Sequence, residues 1–260
     1  ERRTGGKKNG ENDEGAGDAY MGNVKEKGDC RWAAYGASFG GDSLPAEYEE
    51  EFSEAVSHNF SVISLREKGA VSFVKKFFHG NVTDVLDPAL LLERKRWEQV
   101  MKLPDRQDYI LFIYTEYNEQ MVQYLQGLSA ELEKRVVQLS MPWLRQRTGR
   151  VDLEIEAGPS EYIGFFKNAG CVVTNSFHGT AFSVIMEKNF LVFSHSNKNA
   201  RLENLVEKLG LENRLVERGR TPKKGKMMEA IDWGHVRALL EEEKARSIRF
   251  IEQILSGECG

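Results

Sequence analysis

The stretch CVVTNSFHGTAFSVIMEKNFLVF at residues 171–193 sets two short apolar, β-rich runs around one helix-length segment. Strands joined through a helix pair as parallel neighbours, because an antiparallel pair needs only a hairpin. The same alternation runs along most of the chain. CRWAAYGASFGG, FSVISLRE, VTDVLDP, YILFIYT, RVVQLSM, CVVTNS and FLVF read as strands. Between them LPAEYEEEFSEAVSHN, KGAVSFVKKFFHG and residues 118–134, 160–170 and 180–189 carry helical spacing. Residues 201–211 and 232–255 read as later helices, and residues 142–157 as irregular. The expected fold class is α/β, a parallel sheet covered by helices. ALLLERKRWEQVMKLPDRQD, residues 89–108, reads as the connection between two series.

Composition narrows the class. The chain has 260 residues and a formal charge of −4, enough length for a sizeable core and no whole-chain signal for nucleic acid. No run approaches the roughly 18 apolar residues of a membrane span. Residues 1–29 are dense in glycine and charge and poor in aliphatic side chains, so they read as a flexible polar segment. Cys30, Cys171 and Cys259 are widely spaced and odd in number, which argues against a disulfide or zinc framework and for a reducing cytoplasm. Cys171 opens an apolar run and reads as core.

The run at 171–193 also offers chemistry. In a parallel α/β sheet ligands bind beyond the carboxyl ends of the strands. Thr174, Asn175 and Ser176 lie at such an end, and His178, Gly179 and Thr180 open the next helix. A helix start presents unpaired N–H groups and the positive end of the dipole to an anion. Gly179 would let a ligand approach the backbone. Asn175, Ser176 and Thr180 suit either anion binding or helix capping, and His178 either a ligand contact or a satisfied, partly buried position. Spacing alone names no reaction.

A wider pattern does. TNSFHGTAFSVIMEKNF, YGASFG at 35–40, SLRE at 64–67, VLDPALLL at 85–92, GPSEYIGFFKNAGCVVTNS at 158–176 and ARLENLVEKLGLENR at 200–214 together resemble the polysaccharide pyruvyl transferase family, in the right order from Tyr35 to Arg214. The resemblance implies two Rossmann-like domains in a GT-B-like arrangement. The N-terminal domain would be incomplete, since nothing like the family's first half-domain precedes Tyr35. Residues 30–100 would be its remainder, and 101–260 the C-terminal domain with its terminal helix.

The resemblance implies transfer of the enolpyruvyl unit of phosphoenolpyruvate to a sugar of an envelope or exopolysaccharide precursor, giving a pyruvate ketal and phosphate. No metal or organic cofactor is implied. His178 matches the family's candidate acid and Arg66 its candidate ligand for the donor's anionic groups. Where some pyruvyl transferases have Arg-Leu-His, this chain has Ser176-Phe177-His178. Implied partners are phosphoenolpyruvate and a sugar or glycan acceptor, with homo-oligomers left open. The expected place of work is the cytoplasm, peripheral to the inner membrane.

Other candidates carry a structural reading beside the functional one. Ser38 could bond an acceptor sugar or belong to a tight turn. Asp87 could be a base for a sugar hydroxyl or form the turn before Pro88. Glu161 could touch the ligand or only complement a helix dipole. His195 follows a strand and is a second candidate for a ligand contact. Arg201 reads as solvated. His58, His79 and His235 lack ligand-spaced partners, and the basic loop 218–228 lacks the interleaved aromatics of a nucleic-acid surface. Two competing functions use the same residues: a GT-B-like glycosyltransferase taking a nucleotide sugar, and a non-catalytic glycan-binding fragment.

Overall fold

The computed structural model describes residues 32–140, 151–196 and 199–257; the polar segment 1–29 lies outside them. The chain forms two compact units. The first ends at Val85 and regains Phe250–Gly260; the second runs from Leu86 to Arg249.

The first unit is a three-stranded parallel sheet in the order β1 (Trp32–Ala37), β2 (Phe60–Leu65), β3 (Asn81–Asp84). Helices α1 (Glu49–Asn59) and α2 (Lys68–Val74) supply the crossovers. Side chains alternate across the central strand. Ile63 and Leu65 pack with Phe52, Val56, Phe73 and Val82, while Val62 faces the other way, toward Val85 and Phe250. Rings of Phe39, Phe52, Phe73 and Phe77 meet at centroid distances of 5.2–6.0 Å. The helix expected to reach Gly80 stops at Val74, where the chain turns and buries Phe78.

The second unit carries six parallel strands: β4 (Tyr109–Ile113), β5 (Val136–Ser140), β6 (Leu153–Glu156), β7 (Ala169–Thr174), β8 (Phe190–Phe193) and β9 (Leu215–Val216). Their order is β6-β5-β4-β7-β8-β9. The chain begins at the centre, winds outward through β5 and β6, then returns to the other side of β4 with β7. This is the doubly wound Rossmann order, and its switch point lies between β4 and β7. Both central strands are buried and mostly apolar, as burial on two faces requires.

Helix α4 (Glu119–Leu132) covers one face, with Met121, Val122, Leu125 and Leu128 against Ile110, Phe112, Cys171 and Val173. The other face receives α5 (Pro159–Asn168), α6 (Phe177–Ile185), α7 (Ala200–Lys208) and the first turns of α8 (Trp233–Ser256). Burial pushes the Cys171 thiol up to about 12, as its reading as core implies.

The structure adds three details. The units divide after Val85 rather than near residue 100, because Leu86 and Leu90 sink into the second core and the loop beyond them forms a short helix, α3 (Arg94–Val100), whose Trp97 packs on Phe182 at 5.1 Å. The end of α8 groups with the first unit, where the Phe250 and Tyr35 rings lie tilted with centroids 6.4 Å apart. The stretch read as irregular to residue 157 contains β6, an edge strand whose residues are half-buried and exposed in alternation. No helix among the described residues is long and apolar enough to cross a membrane.

Candidate functional site

The carboxyl ends of β4, β7 and β8 converge at the switch point, and side chains knit their loops together. The Thr174 hydroxyl donates to the Ile113 carbonyl at 2.7 Å and accepts from the Ser176 N–H at 2.9 Å. Asn175 is fully buried. Its side-chain oxygen accepts from the Thr115 N–H at 2.8 Å, and its amide donates to the Glu116 carbonyl at 2.6 Å. Ser176 caps α6 by accepting from the Gly179 N–H at 3.3 Å. The Thr180 hydroxyl donates back to the Ser176 carbonyl at 3.1 Å.

By sequence Asn175, Ser176 and Thr180 suit either anion binding or helix capping; Ser176 is the cap, and Asn175 and Thr180 are engaged in hydrogen bonds within the fold. Gly179 has a packing reason. A Cβ there would overlap the Thr174 hydroxyl and lie 3.2 Å from the Ser176 Cβ, so its missing side chain makes room for the end of β7.

His178 stands closer to the surface. It sits in the first turn of α6 with its side chain 54% exposed. Its Nε2 lies 3.8 Å from Asp87 Oδ2, a side chain only 5% exposed. The other Asp87 oxygen accepts from the Ala89 N–H at 2.9 Å and caps the single turn Pro88–Leu90. Asp87 therefore forms its turn and also faces the histidine. Phe177 packs edge-on to the His178 ring at 5.5 Å and carries the Arg201 guanidinium over its own face at 5.4 Å. Arg201 is thus partly engaged rather than merely solvated.

Sequence reading missed Thr115 and Glu116. The Glu116 carboxylate accepts from the Ser196 N–H at 3.1 Å and from its hydroxyl at 2.9 Å, and lies 3.2 Å from His195 Nδ1. Burial acts to raise its pKa, but the hydrogen bonds from Ser196 and His195 prevail and hold it below the usual carboxylate value. A lone acid in a loop gives no signal until β4 and β8 are brought to the same sheet.

Glu161 lies in the first turn of α5 and pairs with Lys102 at 2.9 Å; that hydrogen bond leads the groups that lower its pKa. Ser38 and Arg66 belong to the first unit, at the ends of β1 and β2. The Ser38 hydroxyl donates to the Glu67 carboxylate, which also accepts from the Gly40 N–H at 3.1 Å. Arg66 donates its N–H to the Ala37 carbonyl at 2.9 Å. Both side chains line a cavity of about 630 Å³ with mostly apolar walls, among them Phe39, Tyr48, Phe52 and Phe60. Among the described residues no three His, Cys, Asp or Glu side chains group as metal ligands.

The model of the polysaccharide pyruvyl transferase family matches residues 4–197. The chain belongs to that family. No curated protein matches it. Solved structures similar to this family member include the glycosyltransferase of kitacinnamycin, at 13% identity and a TM-score of 0.42 over 60% of this chain and 44% of that one. Another is the UDP-GlcNAc 2-epimerase of Methanocaldococcus jannaschii, at 14% identity and a TM-score of 0.42 over 74% and 61%. A third is the glycosyltransferase SnogD from Streptomyces nogalater, at 10% identity and a TM-score of 0.38 over 64% and 52%. The chain spans about half the length of these structures.

Proposed function

We propose that the chain takes part in transfer of the enolpyruvyl group of phosphoenolpyruvate to a sugar of a glycan precursor, with His178 as the acid. The observation that carries the reading is the placement of an exposed imidazole at the switch-point helix start, 3.8 Å from a buried carboxylate.

Protonating the methylene carbon of phosphoenolpyruvate makes it a methyl group and leaves the adjacent carbon cationic. A sugar hydroxyl adds there, forming a C–O bond and losing its proton, for which the now neutral imidazole is a base. Phosphate departs as its C–O bond breaks, and a second hydroxyl closes the ketal with loss of its own proton. A histidine suits this exchange because its ordinary pKa lies near neutrality. Asp87 is positioned to balance the imidazolium charge and orient the ring. The N-terminus of α6 favours negative charge developing nearby.

Arg66 is proposed to grip a carboxylate or phosphate through paired N–H groups, and Ser38 to bond a sugar hydroxyl. The chemistry calls for no resident metal or organic cofactor. The test is calorimetric titration of phosphoenolpyruvate into the parent, His178→Ala and Arg66→Ala chains, with phosphate release measured over a panel of glycan acceptors. Binding that weakens in Arg66→Ala and release that stops in His178→Ala support the reading. Binding of a nucleotide sugar in place of phosphoenolpyruvate would replace it with glycosyl transfer. Binding of glycan with neither donor would leave a glycan-binding module.

A further inference from the structure

His195 is held in the opposite manner to His178. Its side chain is 13% exposed and both ring nitrogens face acceptors. Nε2 lies 2.6 Å from the Asn175 carbonyl oxygen, an atom that only accepts, so Nε2 carries a proton. Nδ1 lies 3.2 Å from Glu116 Oε2. That carboxylate already takes the Ser196 N–H and hydroxyl, the pattern of an ionised acceptor. A proton on Nδ1 completes the set. The β4–α4 loop contributes Glu116 and the Thr115 hydroxyl, 3.2 Å from Nε2. The β7–α6 loop contributes the Asn175 carbonyl. Ahead of α7, Asn199 brackets the backbone, accepting from the His195 N–H at 2.6 Å and donating to its carbonyl at 3.1 Å. On α7, Arg201 lies over Phe177 and Lys208 pairs with Glu243.

We propose that His195 and Glu116 form an imidazolium–carboxylate clamp that ties the three switch-point loops together and positions the start of α6, and through it His178. Every polar group of Asn175 is used in this tie, since its N–H also donates to the Ile113 carbonyl at 3.3 Å. The next residue, Ser176, caps the helix, and His178 follows two positions later. His195 has both protons committed inward and is a positioning residue rather than an acid. The clamp stands on this geometry; its catalytic consequence rests on the proposed function.

The test uses the full chain with 15N-labelled histidine, and proton–nitrogen correlation spectra near neutral pH, His195 being assigned by comparison with His195→Gln. The expected result is a doubly protonated His195 ring in the parent that loses its Nδ1 proton in Glu116→Gln. In that variant, hydrogen exchange at the Thr115 and Gly179 amides should rise about tenfold or more while the Val172 amide in β7 keeps its protection. A neutral ring in the parent, or unchanged exchange at Thr115 and Gly179, overturns the clamp. If phosphoenolpyruvate-dependent transfer is observed, Glu116→Gln should lower kcat with little change in KM, and Glu116→Asp should restore part of it. If no transfer is observed the functional proposal fails, while the spectra and exchange still decide the clamp.

Discussion

The strand ends of the two units solve the same problem in different ways. In the second unit the loops after β4, β7 and β8 are stitched to one another through Thr174, Asn175, Glu116 and His195. Their polar groups are paired, and the His178 side chain stands half-exposed beside Asp87. In the first unit one fully buried carboxylate, Glu67, anchors Ser38 and Gly40. Its second oxygen is buried without a hydrogen-bond partner among the described residues, and a cavity of about 630 Å³ opens nearby. One arrangement has little freedom and suits chemistry that needs a fixed proton donor. The other has room and few directional groups, which suits binding.

The sharpest break of that comparison is at His178. His178→Ala should cost roughly 10²–10⁴-fold in kcat of phosphoenolpyruvate-dependent phosphate release, the usual range for a lost general acid. Its exposure predicts an unfolding free energy, read from urea denaturation, within about 0.5 kcal/mol of the parent. A large stability loss with unchanged turnover would make it a structural histidine. Arg66→Ala tests the other unit. It should weaken phosphoenolpyruvate binding by about tenfold to a hundredfold, as loss of charge-assisted hydrogen bonds does. Equal affinity in parent and variant would remove Arg66 from the donor site.

Rigidity at the switch point is tested by two glycines. Gly179→Ala drives a methyl group into Thr174 and should destabilise the chain by about 1–3 kcal/mol. Gly127 lies in the middle of α4 with open space where a Cβ would sit. Gly127→Ala should therefore stabilise by about 0.5–1 kcal/mol. Denaturant unfolding of both variants reads the difference. Equal effects would mean that the β7–α6 turn yields more readily than its packing implies.

What sequence made legible follows from range. The alternation of strands and helices is local, and β4, β7, β8 and α4 formed where periodicity placed them. The strand β6 was not legible, because Leu153–Glu156 alternates over only four residues at a sheet edge. His178 and Asp87 were each singled out, but their meeting depends on Leu86 and Leu90 entering the second core. The packing role of Gly179 was not legible: its space serves Thr174, a strand residue, and only the packed turn shows this. Glu116 was invisible because its partners His195 and Ser196 lie some eighty residues away.

That last carboxylate gives the smallest and most specific effect, a dependence on pH. The folded chain holds the Glu116 pKa below its ordinary value, so folding favours the charged form. Its contribution to stability is fully present above the unfolded-state pKa and is lost as pH falls through the lower folded value. Glu116→Gln removes the charge at every pH. The gap between parent and variant urea midpoints should therefore be widest near neutrality and close toward the acid end. Because the side chain is about one-third exposed, solvent screening keeps the gap small, and it should shrink further in high salt. A gap that persists unchanged in acid would mean that Glu116 holds its loops by shape and neutral hydrogen bonds. The switch point would then owe its order to Asn175 and Thr174, with no charged clamp.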